Sequence, residues 1–485
     1  MNSICSFVGR SLAALALALL VGCAVGPDYR REAAVETMPA QYAGATNEWK
    51  LAAPAADLPK GAWWEIFGDA ELNRLEQQAA AANQSLQAAV ARFEQSRATA
   101  DVARSGLFPR IGVGAVATRQ RDSENRPLNS TGEAAGKAFT YDNFAIPFDL
   151  SYELDLWGRV RRQLESARSS QEAAADDLEG VRLAIAAEVA ADYFTLRALD
   201  AEKAALIASV AAYGKSLELT RNRRAGGLVS DLDVAQAETV LLTAEAQLPA
   251  LTLTRAKFEH ALAVLTGQPA PLFRLSEMPL GREPPVIPSE LPSALLERRP
   301  DIAAAERRMA AANAGIGVAK AAFFPTVRFN GLAGLQSIDA GTLFDWPSRL
   351  WAVGPSLTLP LFDAGQRNAN LRSARASYEE NVARYRQTVL TAFAEVEDNL
   401  AAQRLLADQY RKEFAAWQSA CKQLEIADNR YRAGLASYLT VATAQTAASE
   451  RERAVARLRG QQSVAAIALI KSLGGGFAAQ EGLQP

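Results

Sequence analysis

The clearest pattern in this chain is a change of hydrophobic period, from helical spacing to strict alternation, that occurs twice. From Phe144 to Leu156 apolar side chains occupy every even position, and from position 149 onward carboxylates and a serine fill the odd positions. From Trp351 to Leu361 apolar residues and one proline occupy the odd positions. Shorter alternating runs precede each of these. Because alternation places one apolar face on a strand, the pattern predicts four strands, paired within 110–157 and 326–362.

The segments that surround the strands favour long helices. Leu72–Arg104 contains no Pro or Gly, Arg159–Arg224 contains no Pro in 66 residues, and Gln366–Arg432 contains neither in 67. Helices of this length need lateral partners, which predicts coiled-coil-like packing. Gly180 and Gly214 also permit shorter helices in the first half.

The chain repeats itself at long range. LESARSSQE at 164–172 recurs as LRSARASYE, and NRRAGGLVSDLDVA at 222–235 recurs as NRYRAGLASYLTVA, both 207 residues later. This predicts an internal two-fold repeat with halves at 63–268 and 301–476. A Pro-rich crossover, 269–300, joins the halves, and a flexible tail, 477–485, follows the second.

Each long helix runs into a repeated turn, at 225–231 and 433–438. Gly227 and Gly434 stand just past the helix end, where glycine accepts the left-handed conformation of a C-cap. Ser230 and Ser437 can N-cap the helix that returns. We therefore expect two tight helical hairpins, the first of them interrupted by Pro249.

The N-terminus is typical of an export signal. Ser11–Val21 is an apolar run too short to span a membrane, and it ends in Leu20-Val21-Gly22-Cys23, which resembles a lipoprotein cleavage site. We predict a signal peptide at 1–22, lipid on Cys23 and an extended segment at 23–62. Ala24 rather than Asp after the cysteine predicts the outer membrane. The alternative is an ordinary signal peptide with a chance cysteine.

Composition argues against several classes of function. Net charge is −2 without a basic block, so nucleic acid is not an expected partner. One histidine, His260, and a lone helical thiol, Cys421, offer little for a metal site, a cofactor or catalysis. We expect no enzyme.

No run after residue 23 offers 18 uninterrupted apolar residues, so a membrane crossing would need β-strands. Four strands cannot close a barrel, whereas three chains would supply about 12.

Five motifs together resemble the TolC-type outer membrane efflux factors, in the lipoprotein branch of OprM and NodT. They are CAVGPDY at 23–29, WWEIFGDAEL at 63–72, LPSALLERRPDI at 291–302, the YxxGLAS-type turn at 431–437 and LGGGF at 473–477. The resemblance implies a mainly α protein with membrane β-strands. Three copies would form a 12-stranded barrel in the outer membrane and a long α-helical coiled-coil barrel across the periplasm.

The family resemblance also implies partners and site residues. The channel would be a homotrimer held in outer membrane lipid through Cys23, and it would dock a periplasmic membrane-fusion adaptor and an inner-membrane pump of the RND type. Residues matching the docking tips are Gly227, Leu228, Ser230, Gly434, Leu435 and Ser437. Candidates for the periplasmic aperture are Asp231, Asp233, Arg430, Arg432, Thr440 and Thr443. Many relatives carry Asp at one or both positions of Thr440 and Thr443, so a carboxylate constriction there is in doubt.

The function implied is passive export of small molecules, with energy supplied by the pump. Two alternatives share most of these features: the outer membrane component of type I protein secretion, and a lipid-anchored periplasmic coiled-coil scaffold. The pump chooses the cargo, so the resemblance leaves the exported substrate open.

Overall fold

The computed structural model describes residues 24–33, 61–124, 138, 140–278, 280, 281, 285 and 299–475. The predicted signal peptide, the lipidation site Cys23, the tail 477–485 and most of the Pro-rich crossover lie outside these residues. The described part of the extended N-terminal segment, 24–33, contains neither helix nor strand.

The described residues form seven α-helices and five β-strands. The helices are α1 (Ala70–Ala82), α2 (Gln84–Ser105), α3 (Arg159–Ala225), α4 (Asp231–Leu265), α5 (Pro300–Ala321), α6 (Gln366–Arg432) and α7 (Tyr438–Ser472). The strands are β1 (Arg110–Val113), β2 (Val116–Arg121), β3 (Thr140–Leu154), β4 (Thr326–Ser337) and β5 (Arg349–Thr358). No helix among the described residues is long and apolar enough to cross a membrane.

Helix lengths match between the two halves of the chain. Helices α2 and α5 have 22 residues each, α3 and α6 have 67, and α4 and α7 have 35. The glycines Gly180 and Gly214 do not divide α3, which is one continuous helix. These equal lengths are what a duplicated unit would produce.

Two expectations about helix continuity were wrong. The run predicted as one helix from Leu72 is split at Asn83, whose side chain accepts the Leu86 amide and donates to the Leu265 carbonyl. Asn83 thereby caps α2 and fixes the bend. Conversely, Pro249 lies inside α4 without interrupting it. Pro249 is exposed, so water can satisfy the carbonyl that loses its intrahelical donor.

The first predicted strand is also divided, which gives five strands in place of four. Both β1 and β2 pair antiparallel with β3, and β4 and β5 follow in the order β1/β2-β3-β4-β5. At the division the Gly114 amide donates to the Pro147 carbonyl at 2.9 Å. Proline has no N–H to return the bond, so the ladder is broken there.

The described chain falls into two compact units. One contains the sheet with its flanking segments, within 1–32, 94–173 and 306–384, and the other contains the hairpins, within 33–93, 174–305 and 385–485. In the sheet unit, the segment after Cys23 packs onto the helices. The Val25 amide donates to the Trp157 carbonyl, Asp28 pairs with Arg162 at 2.7 Å, and the Asn313 amide donates to the Pro27 carbonyl.

The core of the hairpin unit explains the WWEIFGDAEL motif. Asp69 caps α1 by accepting the amides of Glu71 and Leu72, and it also accepts the hydroxyl of Tyr193 at 2.8 Å. Trp63 and Leu72 are buried in the same cluster. The motif therefore joins α1 to α3 through one carboxylate.

Candidate functional site

The first hairpin turns in a tight cap at the end of α3. The Gly227 amide donates to the Arg224 carbonyl and the Leu228 amide to the Arg223 carbonyl, both at 2.9 Å. This pair of bonds requires a left-handed residue, and Gly227 has a φ of 73°. The prediction of a glycine C-cap is confirmed here.

The second hairpin repeats the turn with the same bonds. The Gly434 amide donates to the Tyr431 carbonyl and the Leu435 amide to the Arg430 carbonyl, again at 2.9 Å, and Gly434 has a φ of 76°. The two turns are therefore equivalent in backbone geometry as well as in sequence.

Both turns present leucines to solvent. Leu228 is 74% exposed and Leu435 is 70% exposed. Leu232 and Leu439, the second residue of each returning helix, are exposed as well. Apolar side chains clustered at a tip, with arginines around them, are typical of a surface that binds another protein.

The returning helices begin differently. Ser230 and Asp233 form a capping box, in which the Asp233 amide donates to Ser230 Oγ and the Ser230 amide donates to the Asp233 carboxylate. Ser437 occupies the same N-cap position, yet its side chain caps no amide, so that part of the prediction was wrong. Its hydroxyl lies 3.5 Å from that of Thr440, which stands where the first hairpin has Asp233. A threonine cannot return the carboxylate bond of a capping box.

Asp231 is paired within its own tip. Its two carboxylate oxygens accept Nε and Nη2 of Arg224 at 2.7 and 2.8 Å. The hydrogen bonds from the Arg224 guanidinium lower the pKa of the Asp231 carboxyl, against an opposing effect of desolvation. The charge of Asp231, one of the aperture candidates, is therefore neutralised by Arg224 of the same tip.

Arg223 joins the two hairpins. Its guanidinium donates to the carbonyls of Tyr431 and Arg432 at 2.7 and 2.9 Å, and it stacks over the Tyr431 ring at 4.6 Å. A positive group at the last carbonyls of α6 also complements the helix dipole. The Tyr431 hydroxyl lies 3.3 Å from the hydroxyl of Thr220, so α3 and α6 contact at a second point.

The remaining aperture candidates lie on the second hairpin. Arg432 pairs with Asp428 of its own helix at 2.8 Å, and the Thr443 hydroxyl donates to the Leu439 carbonyl. Arg430 is exposed, and no acceptor for its side chain lies within the described part of the chain. Among the described residues, Arg223 therefore has carbonyl acceptors at the end of α6, whereas Arg430 has no equivalent acceptor at the end of α3.

A small apolar core holds the tips in place. Beneath them pack Leu217, Ala237, Ala427, Tyr431, Tyr438, Val441, Ala442 and Ala444. Tyr438 is 1% exposed, and burial raises its pKa to about 12.

Sequence reasoning did not single out Arg223 and Arg224 as candidate site residues. A signal for Arg223 was present, because Arg223 and Arg430 are identical positions of the repeated 222–235 and 429–442 segments. Arg224 had no such signal, since the second half carries Tyr431 at its position.

The sheet provides a second candidate surface. On one face lie residues that include Ile111, Phe148, Phe329, Trp351 and Val353, all exposed. Their register places them together: Phe148 is opposite Val113 and Ala333, and Ala333 is opposite Trp351. The other face carries polar groups such as Asn330 and Ser356, which are hydrogen-bonded at 2.8 Å. An open apolar face of this extent needs a covering that is itself apolar.

The described residues contain no cluster of His, Cys, Asp or Glu able to hold a metal ion. Cys421 is exposed on α6.

Known proteins resemble this chain along nearly its whole length. A family model described as outer membrane efflux protein matches residues 75–268 and 291–475. The chain is 34% identical over 478 residues to a toluene efflux pump outer membrane protein, TtgC, of Pseudomonas putida, covering 98% of this chain and 97% of that protein. It is 33% identical over 474 residues to the outer membrane protein OprJ of Pseudomonas aeruginosa, covering 96% of each.

A solved structure agrees with the fold. The outer membrane channel CmeC of Campylobacter jejuni superposes with a TM-score of 0.85 at 26% identity, covering 95% of this chain and 96% of that one. The similarity extends over both the sheet and the hairpins.

Proposed function

Because this chain belongs to the outer membrane efflux protein family, we propose that it is the channel subunit of a tripartite efflux system and forms a homotrimer. Its relatives are outer membrane components of efflux pumps, and the chain is an outer membrane protein of the same kind. This proposal is supported mainly by the presence, in one chain, of an open apolar sheet face and two equivalent hairpin tips.

The sheet supports a shared barrel. Its four-strand width, with the first strand divided opposite Pro147 of β3, leaves an apolar face that fits hydrocarbon and a polar face that fits water. One such sheet has two free edges, so closure requires further copies. Three chains supply a sheet about twelve strands wide. A periplasmic scaffold, the alternative, would have no use for the apolar face of the sheet.

The tips support docking onto a periplasmic adaptor. Leu228 and Leu435 project from identical turns, so an adaptor can bind both with one kind of apolar groove. Gly227, Ser230, Gly434 and Ser437 hold the turns that present these leucines. Since opening the channel must separate the hairpins, Arg223 stabilises the closed arrangement by holding the α6 end.

We propose that Cys23, which lies outside the described residues, carries the lipid anchor. The position of the residues that follow supports this, because the Val25 amide donates to the Trp157 carbonyl just beyond the end of β3. A lipid on Cys23 would enter the membrane beside the strands.

The cargo follows from the pump, which we propose to be of the RND type. One relative is named for toluene efflux, so an aromatic solvent is the first cargo to test. The chain itself needs only to let it pass.

The test is complementation of a Gram-negative strain that lacks its own outer membrane efflux protein. The chain, expressed together with an RND-type pump and its adaptor, should restore tolerance to toluene. The double variant Leu228→Asp/Leu435→Asp should insert normally and fail to restore tolerance. A matched control, Leu272→Asp, alters a leucine that is 77% exposed but lies far from the tips in the sequence, and it should complement fully.

Full tolerance with both tip leucines charged would overturn the docking role. Loss of the protein from the outer membrane fraction, with intact expression, would overturn the channel proposal itself.

A further inference from the structure

A cavity enters the hairpin unit between α1, α2 and α3, beside the short 3₁₀ helix Trp63–Phe67. Its volume is about 480 Å³, a size that suits a small molecule. Apolar side chains such as Trp63, Leu86 and Ile185 form most of its wall. The exposed members of the lining include Gln87 and Arg182, so the cavity is open to solvent on that side.

One ionisable side chain lines this cavity without a partner. Glu76 of α1 is 2% exposed, and its Oε1 is buried with no hydrogen-bond partner among the described residues. No basic side chain in the described part of the chain pairs with its carboxyl group. Because burying such a group without a partner costs stability, nearly all buried polar groups are satisfied. The carboxyl of Glu76 is therefore free to bind a ligand.

Two tryptophans lie in the same wall. The rings of Trp63 and Trp64 have centroids 5.8 Å apart and meet edge to face at 79°. Aromatic rings set at a steep angle form the corner of an aromatic cage, in which the π electrons attract a quaternary ammonium ion. A carboxyl group beside such a corner is the chemistry that recognises an organic cation.

The other charged groups of the wall neutralise each other. Among the described residues that line the cavity they are Glu179 and Arg182 of α3, which pair at 2.6 Å. Because the charge of Arg182 is already held by Glu179, it does not repel a cation at Glu76. The lining is thus neutral while Glu76 is protonated and carries one negative charge when Glu76 is ionised.

We propose that this cavity binds a small organic cation, whose ammonium group lies between the Glu76 carboxylate and the rings of Trp63 and Trp64. The apolar part of the ligand packs against Leu86 and Ile185. The cation supplies the counter-charge that the described residues do not give Glu76. The site lies within the hairpin unit of one chain, so it is independent of the proposed export function.

Binding of the cation is coupled to release of a proton. Burial raises the pKa of Glu76 to about 9, so the empty site holds a neutral carboxyl at neutral pH. The cation binds the ionised form, and the proton of Glu76 passes to the buffer. Affinity should therefore rise about tenfold for each pH unit up to about pH 9. Glu179 and Arg182, the other charged groups that face the cavity, are paired with each other throughout.

Isothermal titration calorimetry of the purified full-length chain with benzyltrimethylammonium tests the site. This ion keeps its charge at every pH, so any pH dependence belongs to the protein. Titrations at about pH 7.5 in two buffers of different ionisation enthalpy should show nearly one proton released per cation bound. Neopentylbenzene has the same shape without the charge, so it should release no proton and its affinity should not depend on pH.

Glu76→Gln should abolish both the proton release and the pH dependence of affinity, and should weaken binding at least tenfold at about pH 8.5. The control Glu71→Gln alters a carboxylate of the same helix that is held by Arg74 at 2.6 Å and does not line the cavity. It should bind the cation as the unmodified protein does.

The aromatic contribution is tested at Trp64. Trp64→Leu should weaken binding by roughly 3- to 30-fold and keep the proton release, because the Glu76 carboxyl remains. Trp64→Phe restores an aromatic ring and should recover most of that affinity.

The proposal is overturned if benzyltrimethylammonium binds Glu76→Gln as tightly as the unmodified protein, or if its binding releases no proton. Absence of binding at millimolar concentrations would overturn it as well and would leave water as the occupant of the cavity. Neither result bears on export, because tolerance to toluene is measured separately.

Discussion

Arg223 and Arg430 occupy identical positions of the repeat, yet of the two only Arg223 finds acceptors within the described part of its own chain. At the scale of single residues, sequence spacing predicted the glycine caps correctly because a left-handed turn demands glycine. It did not predict the Arg224–Asp231 pair, because that contact is made across a turn and the second half has no equivalent. Ser437 was misjudged for a related reason, since its cap depended on the residue three positions later.

Replacing Arg223 should loosen the closed tips. Arg223→Ala removes two bonds from a charged donor to the α6 carbonyls, at a cost of about 1–2 kcal/mol, which corresponds to a roughly tenfold larger open population. Planar-bilayer recordings should show higher open probability. Arg221→Ala is the matched control, because Arg221 pairs at 3.5 Å with Glu238 and bonds to no residue of the second hairpin within the described part of the chain. Equal recordings for the two variants would contradict the role of Arg223.

Glu76 should make the hairpin unit less stable as pH rises. Its side chain is buried on α1, Oε1 has no partner among the described residues, and burial raises the pKa to about 9 from 4.5. The folded chain holds the proton up to about pH 9, whereas the unfolded chain releases it above about 4.5. Stability is therefore lost progressively between those values, by about 3 kcal/mol at pH 7.

Glu76→Gln keeps the size of the side chain and removes its ionisation. The fall in melting temperature between about pH 5 and pH 8 should become smaller than in the unmodified protein. Glu179→Gln, a control at a carboxylate paired with Arg182 at 2.6 Å, should leave that fall unchanged. An identical pH dependence with and without Glu76 would exclude it as the cause.

At the scale of elements, the alternating pattern was sufficient to place the strand pairs, and the runs without proline placed the two 67-residue helices. Their continuity was harder to predict, because it depends on tertiary surroundings. Pro249 is tolerated in α4 since it faces solvent, while Pro147 breaks a ladder since a neighbouring strand requires its missing N–H. Asn83 could not be recognised as a helix boundary from the sequence, because its role depends on a hydrogen bond to the distant Leu265 carbonyl.

Gly334 is required by the close approach of β4 to β3. A Cβ added there would lie 2.3 Å from the Ile146 carbonyl oxygen and 2.9 Å from Pro147 Cα, both backbone atoms that cannot move aside cheaply. Gly334→Ala should destabilise the sheet by about 1–3 kcal/mol. The measurement is the temperature at which outer membrane trimers dissociate. Gly354→Ala lies on the neighbouring strand β5 with no atom within 4 Å, so it should match the unmodified protein.

At the scale of the whole molecule, the repeat was the most useful property of the sequence. It indicated equivalent hairpins, and the structure shows equivalent turns with equal helix lengths. The capping, pairing and interhairpin contacts of the tips could not be read from it, since these depend on the residues that the halves do not share.

The exposed thiol on α6 has a practical consequence. With the proposed removal of residues 1–22 and acylation of Cys23, Cys421 would be the only free thiol left in the sequence, thirteen residues before Gly434. Burial and the nearby Glu452 raise its pKa, so a maleimide dye will attach best in mildly alkaline buffer. Trp417, one turn earlier on the same helix, can serve as an energy-transfer donor to that dye. The native protein thus accepts a single fluorescent reporter close to the tips, without any change to its sequence.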